Sequence, residues 1–141
     1  MAQDLFNFDA EFKLGIDPID QEHVKLVNML NAVQRLLGEG KKPEAIEYFS
    51  LTLARYVGSH FAHEEAFMAS ISYPQLEEHA KIHANFTKSF MESLPKLATY
   101  DDAAFRGALT DAFTWIINHI GRTDSKYAKF YLEKTRPVQA D

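Results

Sequence analysis

Apolar positions along this chain recur at steps of three and four, the period of an amphipathic α-helix. The first run, about 18–37, carries Ile19, His23, Leu26, Leu30, Val33 and Leu37 on one stripe. Asp17-Pro18-Ile19-Asp20 reads as its start: a cap, a proline at the first helical position, then an acid in the first turn. Gly38-Glu39-Gly40 stops it. A second helix opens at Pro43 and runs to about Met68, with Ile46, Phe49, Leu53, Val57, His60, Glu64 and Phe67 on its stripe. Ser70-Ile71-Ser72-Tyr73 is a turn, and Pro74 opens a third helix bearing Leu76, His79, His83, Phe86 and Phe90; Pro95 ends it near Leu94. Asp101-Asp102 caps a fourth helix, with Phe105, Leu109, Ala112, Ile116 and His119 on one face and Gly121 as the predicted stop. Ser125 to Glu133 is predicted as a short fifth helix, before a polar tail containing Pro137. At the other end, Phe6, Phe8 and Phe12 follow no period and read as an extended arm lying on the body.

No segment sustains the period-two alternation of a strand. The expected fold is therefore all-α: an antiparallel up-down-up-down four-helix bundle with an N-terminal arm and a short C-terminal helix. The 141 residues are expected to form one domain, with the arm at about 1–17, the bundle at about 18–124 and a C-terminal segment at about 125–141.

Charge and composition narrow the function classes. A net charge of −5 argues against nucleic acid as a partner. No basic amphipathic run suggests a membrane surface, and no apolar run approaches the roughly 18 residues of a spanning helix. With no cysteine, disulfides, iron–sulfur clusters and thiol catalysis are excluded. Met1-Ala-Gln-Asp has neither the basic nor the apolar region of a secretory signal, so a cytoplasmic protein is expected.

The chemistry lies on the stripes themselves. Five of the six histidines fall on faces that should be buried, together with Glu64, and Asp124 follows closely. A buried carboxylate needs a partner, a proton or a metal, and no Lys or Arg lies on these stripes near Glu64. Residues i and i+4 share a helix face, so His60 with Glu64, and His79 with His83, can each approach one ion from one helix. His119 to Asp124 is a step of five, off-face for a continuous helix; it works if the helix ends near Gly121 and the chain turns back. In antiparallel order, His23, His60, Glu64, His79, His83, His119 and Asp124 all fall toward one end of the bundle.

Five imidazoles and two carboxylates are too many for one tetrahedral zinc. Two ions sharing both carboxylates, with one bridging oxygen, use all seven and leave one ion with six ligands and the other with five. Imidazole with carboxylate suits iron and leaves zinc, copper and manganese open by ligand type. The Glu-x-x-His repeat of ferritin-like oxidases is absent. His60-Phe-Ala-His63-Glu64 matches neither zinc-protease pattern. His63 sits about 60° round the helix from His60 and is not expected to be a ligand.

Taken together, Gly15-Ile16-Asp17-Pro18-Ile19-Asp20-Gln21-Glu22-His23, His60-x-x-x-Glu64, His79-x-x-x-His83 and His119-x-x-x-x-Asp124 resemble the hemerythrin family, in its single-domain bacterial form (bacteriohemerythrin), over about residues 8–131. The resemblance implies two iron ions, oxo- or hydroxo-bridged, and reversible O2 binding for carriage, storage or delivery. It implies that His79, His83 and His119 hold the six-coordinate iron, that His23 and His60 hold the open iron where O2 binds, and that Glu64 and Asp124 bridge. Leu26 and Ile116, one turn from His23 and His119, and Phe61, beside His60, are the expected walls of the O2 pocket. Many members of the family carry tryptophan where this arm has Phe8; the one tryptophan here is Trp115. No catalytic residue is expected, and O2 is the expected partner of a monomer with any protein acceptor unknown. Two other readings stand beside O2 carriage: sensing of O2 or redox state through a separate partner, and a di-iron enzyme acting on peroxide or nitric oxide. A purely structural metal bundle is a further alternative.

Overall fold

The computed structural model describes residues 13–135. The expected arm positions Phe6, Phe8 and Phe12, and Pro137 of the tail, lie outside the described residues. Four long helices, α1 (Asp17–Gly38), α2 (Lys42–Ser70), α3 (Leu76–Leu97) and α4 (Asp102–Asn118), run up, down, up and down. A π-helical turn, His119–Thr123, carries α4 directly into α5 (Asp124–Thr135). Among the described residues there is no strand, and no helix is long and apolar enough to cross a membrane.

The helix ends follow local chemistry, with three departures from the sequence-based expectation. Asp17 is not the cap of α1; Ile16 occupies that position without a side-chain cap bond. The buried Asp20 instead reaches back, accepting from the Leu14 N–H at 2.8 Å and the Gly15 N–H at 3.0 Å. Gly15 has φ +90°, open to glycine at little cost, and this bends the incoming chain over the helix start. Pro74 lies in the turn before α3 rather than opening it. Pro95 does not end α3, which continues to Leu97. A proline in the last turn removes one backbone donor, and its loss leaves only one carbonyl, that of the exposed Met91, to turn to water. At α4 the expectation holds: Asp101 accepts from the Ala104 N–H at 2.8 Å.

Two of the stops share one geometry. At the end of α1, Lys41 N–H donates to Leu36 C=O and Gly40 N–H to Leu37 C=O, with Gly40 at φ +75°. At the end of α2, Tyr73 N–H donates to Met68 C=O and Ser72 N–H to Ala69 C=O, with Ser72 at φ +56° in the glycine role.

The stripes close into two apolar clusters. The larger is built on Leu26, Leu30, Val33, Phe49, Leu53, Phe86, Phe90, Phe105 and Ile116. Phe49 is fully buried within it and meets Phe90 and Phe105 edge-to-face at 5.9 and 6.1 Å. The smaller holds Ile16, Ile19, Met68, Ile71, Tyr73, Tyr127 and Ala128. Along each helix the polar residues of interest lie between the two: His23 between Ile19 and Leu26, Glu64 between Phe61 and Met68, His119 and Asp124 between Ile116 and Tyr127.

Replacing Phe49 by alanine removes the ring at the centre of the larger cluster. Chemical denaturation should show a loss of about 3–5 kcal/mol, with the metal-binding end still able to load.

Candidate metal centre

All seven predicted ligands are buried, each at 3% exposure or less, and they meet in one place. They form two groups. Glu64, His79, His83, His119 and Asp124 make one; His23, His60 and Glu64 make the other. Glu64 belongs to both.

The carboxylates divide their oxygens between the groups. Glu64 Oε1 lies 2.9 Å from His83 Nε2, 3.4 Å from His79 Nε2 and 3.6 Å from His119 Nε2. Its Oε2 lies 3.0 Å from both His23 Nε2 and His60 Nε2. Asp124 Oδ1 is 2.8 Å from His119 Nε2 and 3.0 Å from His79 Nε2, while Oδ2 faces His23 Nε2 at 3.2 Å. Each carboxylate thus points one oxygen at each group, the arrangement of a bridge between two ions.

The imidazoles also approach one another closely through their Nε2 atoms. His83 Nε2 and His119 Nε2 are 2.9 Å apart; His79–His119 and His23–His60 are each 3.1 Å apart. Two nitrogens about 2.1 Å from one ion are about 3.0 Å apart at right angles and about 3.4 Å apart at the tetrahedral angle. The nitrogens are thus close enough together to converge on a shared ion, and imidazole with carboxylate is a donor set that suits iron. Glu64 Oε1 and both Asp124 oxygens are buried without a hydrogen-bond partner, an arrangement that is costly unless a cation completes it.

The electrostatics of the metal-free cluster follow from this crowding. Burial by itself would lower the His23 pKa, but the adjacent Asp124 and Glu64 carboxylates outweigh it and raise the group to about 9; His79 is raised to about 9 for the same reasons. His119 is raised too, against the effect of burial, chiefly by Asp124. Burial would raise the Glu64 and Asp124 carboxyls, and Glu64 would raise that of Asp124 further. The surrounding imidazoles, His119 and His23 foremost, hold both below the usual carboxylate range.

The step of five from His119 to Asp124 is solved differently from the expectation. Gly121 is not a stop, and the chain does not turn back. In an α-helix, five residues turn Asp124 about 140° away from His119. The π-helical turn between them, with its i→i+5 bonding, absorbs the extra residue and brings Asp124 back to the histidine face. The five-residue spacing was itself the signal of this turn.

His63 and Glu65 stand outside the two groups. His63 is exposed and its Nδ1 pairs with Glu22 at 2.9 Å. Glu65 nevertheless touches the site from behind, with Oε2 2.9 Å from His83 Nδ1. Aromatic side chains surround the ligands, and of these only Phe61 is expected from the sequence as part of the site. Tyr56 packs on His60 at 4.6 Å and donates to the Glu22 backbone carbonyl at 2.5 Å. Trp115 stacks on His119 at 4.2 Å with planes 9° apart, and Phe61 stacks on His83 at 3.9 Å and 3°. Tyr127 is fully buried, its hydroxyl unpartnered and its pKa pushed up by burial and by Glu64 and Asp124. It stands three residues beyond Asp124 on the same face, a spacing that a continuous α5 would have disclosed. Leu26, Phe61 and Ile116 are all buried in the larger cluster, and Phe61 reaches the site through its stack on His83.

Comparison with known proteins adds an independent line. The hemerythrin HHE cation binding domain family matches residues 14–131. A bacteriohemerythrin of Clostridium acetobutylicum is 35% identical over 127 residues, covering 87% of this chain and 98% of that protein. A hemerythrin of Themiste dyscrita is 30% identical over 124 residues, covering 88% and 92%. A crystal structure of a leucine-to-phenylalanine mutant superposes with a TM-score of 0.75 at 22% identity, over 92% of this chain and 97% of that one.

Two outcomes follow for the loaded and stripped protein. His23 and His79 have folded-state pKa values above the 6.5 of the free side chain. Their contribution to the stability of the stripped protein is therefore full below pH 6.5 and lost as pH rises toward 9, while that of Glu64 and Asp124 is lost as pH falls through the acidic range. Denaturant titrations of chelator-treated protein should show a weakly acidic optimum and a decline to pH 9 that metal-loaded protein does not share. The single tryptophan should also report loading, since Trp115 is stacked on His119. Its emission should fall as iron is added and level off when the site is full; emission indifferent to iron would contradict the stack.

Proposed function

The chain belongs to the hemerythrin family, and from that premise we propose that it binds O2 reversibly, for carriage, storage or delivery, at a di-iron centre held by its seven buried side chains. The hemerythrin family binds a di-iron centre, and the buried His/Glu/Asp cluster here is able to hold one. Its members are O2-binding carriers rather than enzymes.

The observation that carries the reading is the unequal sharing of ligands. His79, His83 and His119 would hold one ion and His23 and His60 the other, with Glu64 and Asp124 offering one oxygen to each group. The His23–His60 group has one protein ligand fewer, so it is the side on which a small molecule would bind. Two ferrous ions held there would supply the electrons that O2 binding needs. The protein supplies the rest. Its two carboxylates offset two of the four positive charges in a core with little water. Leu26, Phe61 and Ile116 wall the open position with apolar surface and keep water from competing for it. Tyr127 brings a buried, un-ionised hydroxyl beside Glu64 and fixes the polarity of the opposite wall.

Anaerobic loading should give two irons per chain, and the optical spectrum should switch reversibly as O2 is admitted and removed. One iron per chain, or oxidation that deoxygenation does not reverse, would overturn the proposal.

A further inference from the structure

His83 is held from two directions by one helix. Phe61 of α2 lies flat on its ring, 3.9 Å away and 3° from parallel. Glu65, one turn further along α2, receives its Nδ1 at 2.9 Å. An ionised carboxylate can only accept, so the proton of this bond sits on Nδ1 and the Nε2 lone pair is left for the site. Nε2 is the atom found 2.9 Å from Glu64 Oε1 and 2.9 Å from His119 Nε2. Phe61 and Glu65 thus fix the face and the outer edge of this ring, and with them the nitrogen it turns to the site.

His60, its counterpart in the other group, is held differently. Tyr56 packs on its face, tilted by 31°. Its Nδ1 is buried without a hydrogen bond. The nearest carboxylate, Glu22, stands 3.5 Å off through Oε1, while its Oε2 meets the exposed His63 at 2.9 Å. The two carboxylates behind the centre thus differ: Glu65 bonds its ligand closely, whereas Glu22 faces His60 from beyond hydrogen-bond geometry and makes its short contact with His63.

We infer that Glu65 is a positioning residue: acting through His83, it stiffens the five-residue group of the centre, and no equivalent bond stiffens the group built on His23 and His60. The inference rests on the di-iron reading above. It deepens that reading by giving the two halves different jobs. The half with a full ligand set is braced through its histidine, as metal-bound imidazoles commonly are by an outer carboxylate. The half with the open position keeps a histidine whose outer edge is free, so that it can shift as a small molecule enters and leaves.

The test uses the full-length, iron-loaded protein with E65A and E65Q. Iron release to a ferrous chelator is followed with time, together with the optical spectrum and the reduction potential. In wild type, two irons per chain should leave, the braced one more slowly. In E65A that slow phase should quicken by about tenfold to a hundredfold, with the other phase little changed. In E65Q the amide oxygen still accepts from Nδ1, so release should return most of the way to wild type. The charge is gone, however, and the potential should still differ from wild type. A merely structural role for Glu65 predicts another pattern: both phases faster, a lower unfolding midpoint of the stripped variants, and no rescue by glutamine. That pattern, or E65A release matching wild type, would refute the inference while leaving the di-iron reading intact. Wild type that holds a single iron overturns both.

Discussion

Two carboxylates without exposure to solvent, in a core that offers them no lysine or arginine, are the constraint on which the rest of the structure depends. Glu64 and Asp124 are both at 0% exposure. Burying one unpaired carboxylate costs several kcal/mol even after relaxation. Five imidazoles are the compensation, and they approach closely enough to hold both groups ionised. Yet imidazoles in mutual contact at 2.9–3.1 Å are themselves poor company. The arrangement is coherent when two cations stand between the nitrogens and the oxygens. In this sense the metal belongs to the folding problem and not only to function.

The bundle answers that constraint by keeping the polar layer between two apolar ones. The larger cluster, with Leu26, Phe61 and Ile116 among its members, anchors the four helices. The smaller closes the other side through Tyr73, Tyr127 and the start of α1. Aromatic rings serve as the contact surface throughout: Trp115 on His119, Phe61 on His83, Tyr56 on His60. This explains the large number of phenylalanines and tyrosines for a chain of this size. A flat ring can press on an imidazole without competing for its nitrogens.

Asymmetry runs through the centre at every level. Three histidines stand against two, and among the described residues only the three-histidine group holds a ligand, His83, whose Nδ1 is bonded to an outer carboxylate. Surface charge contributes little by comparison. Pairs such as Lys42 with Asp102 are exposed and worth at most about 1 kcal/mol each.

What the sequence determined is what periodicity can encode. The 3.6-residue repeat put His23, His60, Glu64, His79, His83 and His119 on buried faces, and chain order put them at one end of an antiparallel bundle. Turn chemistry marked most helix ends within a few residues. Tertiary structure decided the matters that periodicity leaves open. The spacing of His119 and Asp124 suggested a break at Gly121, whereas packing against His23 and His79 keeps the helix running through a π turn, because a buried ligand outweighs the weaker bonding of that turn. Glu65 was not among the expected ligands, and Tyr127 fell within the expected short terminal helix; Glu65 touches the site through His83 and Tyr127 through His79, both on another helix. A stripe says which residues turn inward. Which nitrogen each carboxylate then meets, 18 or 41 positions away in the chain, is settled only when the helices pack.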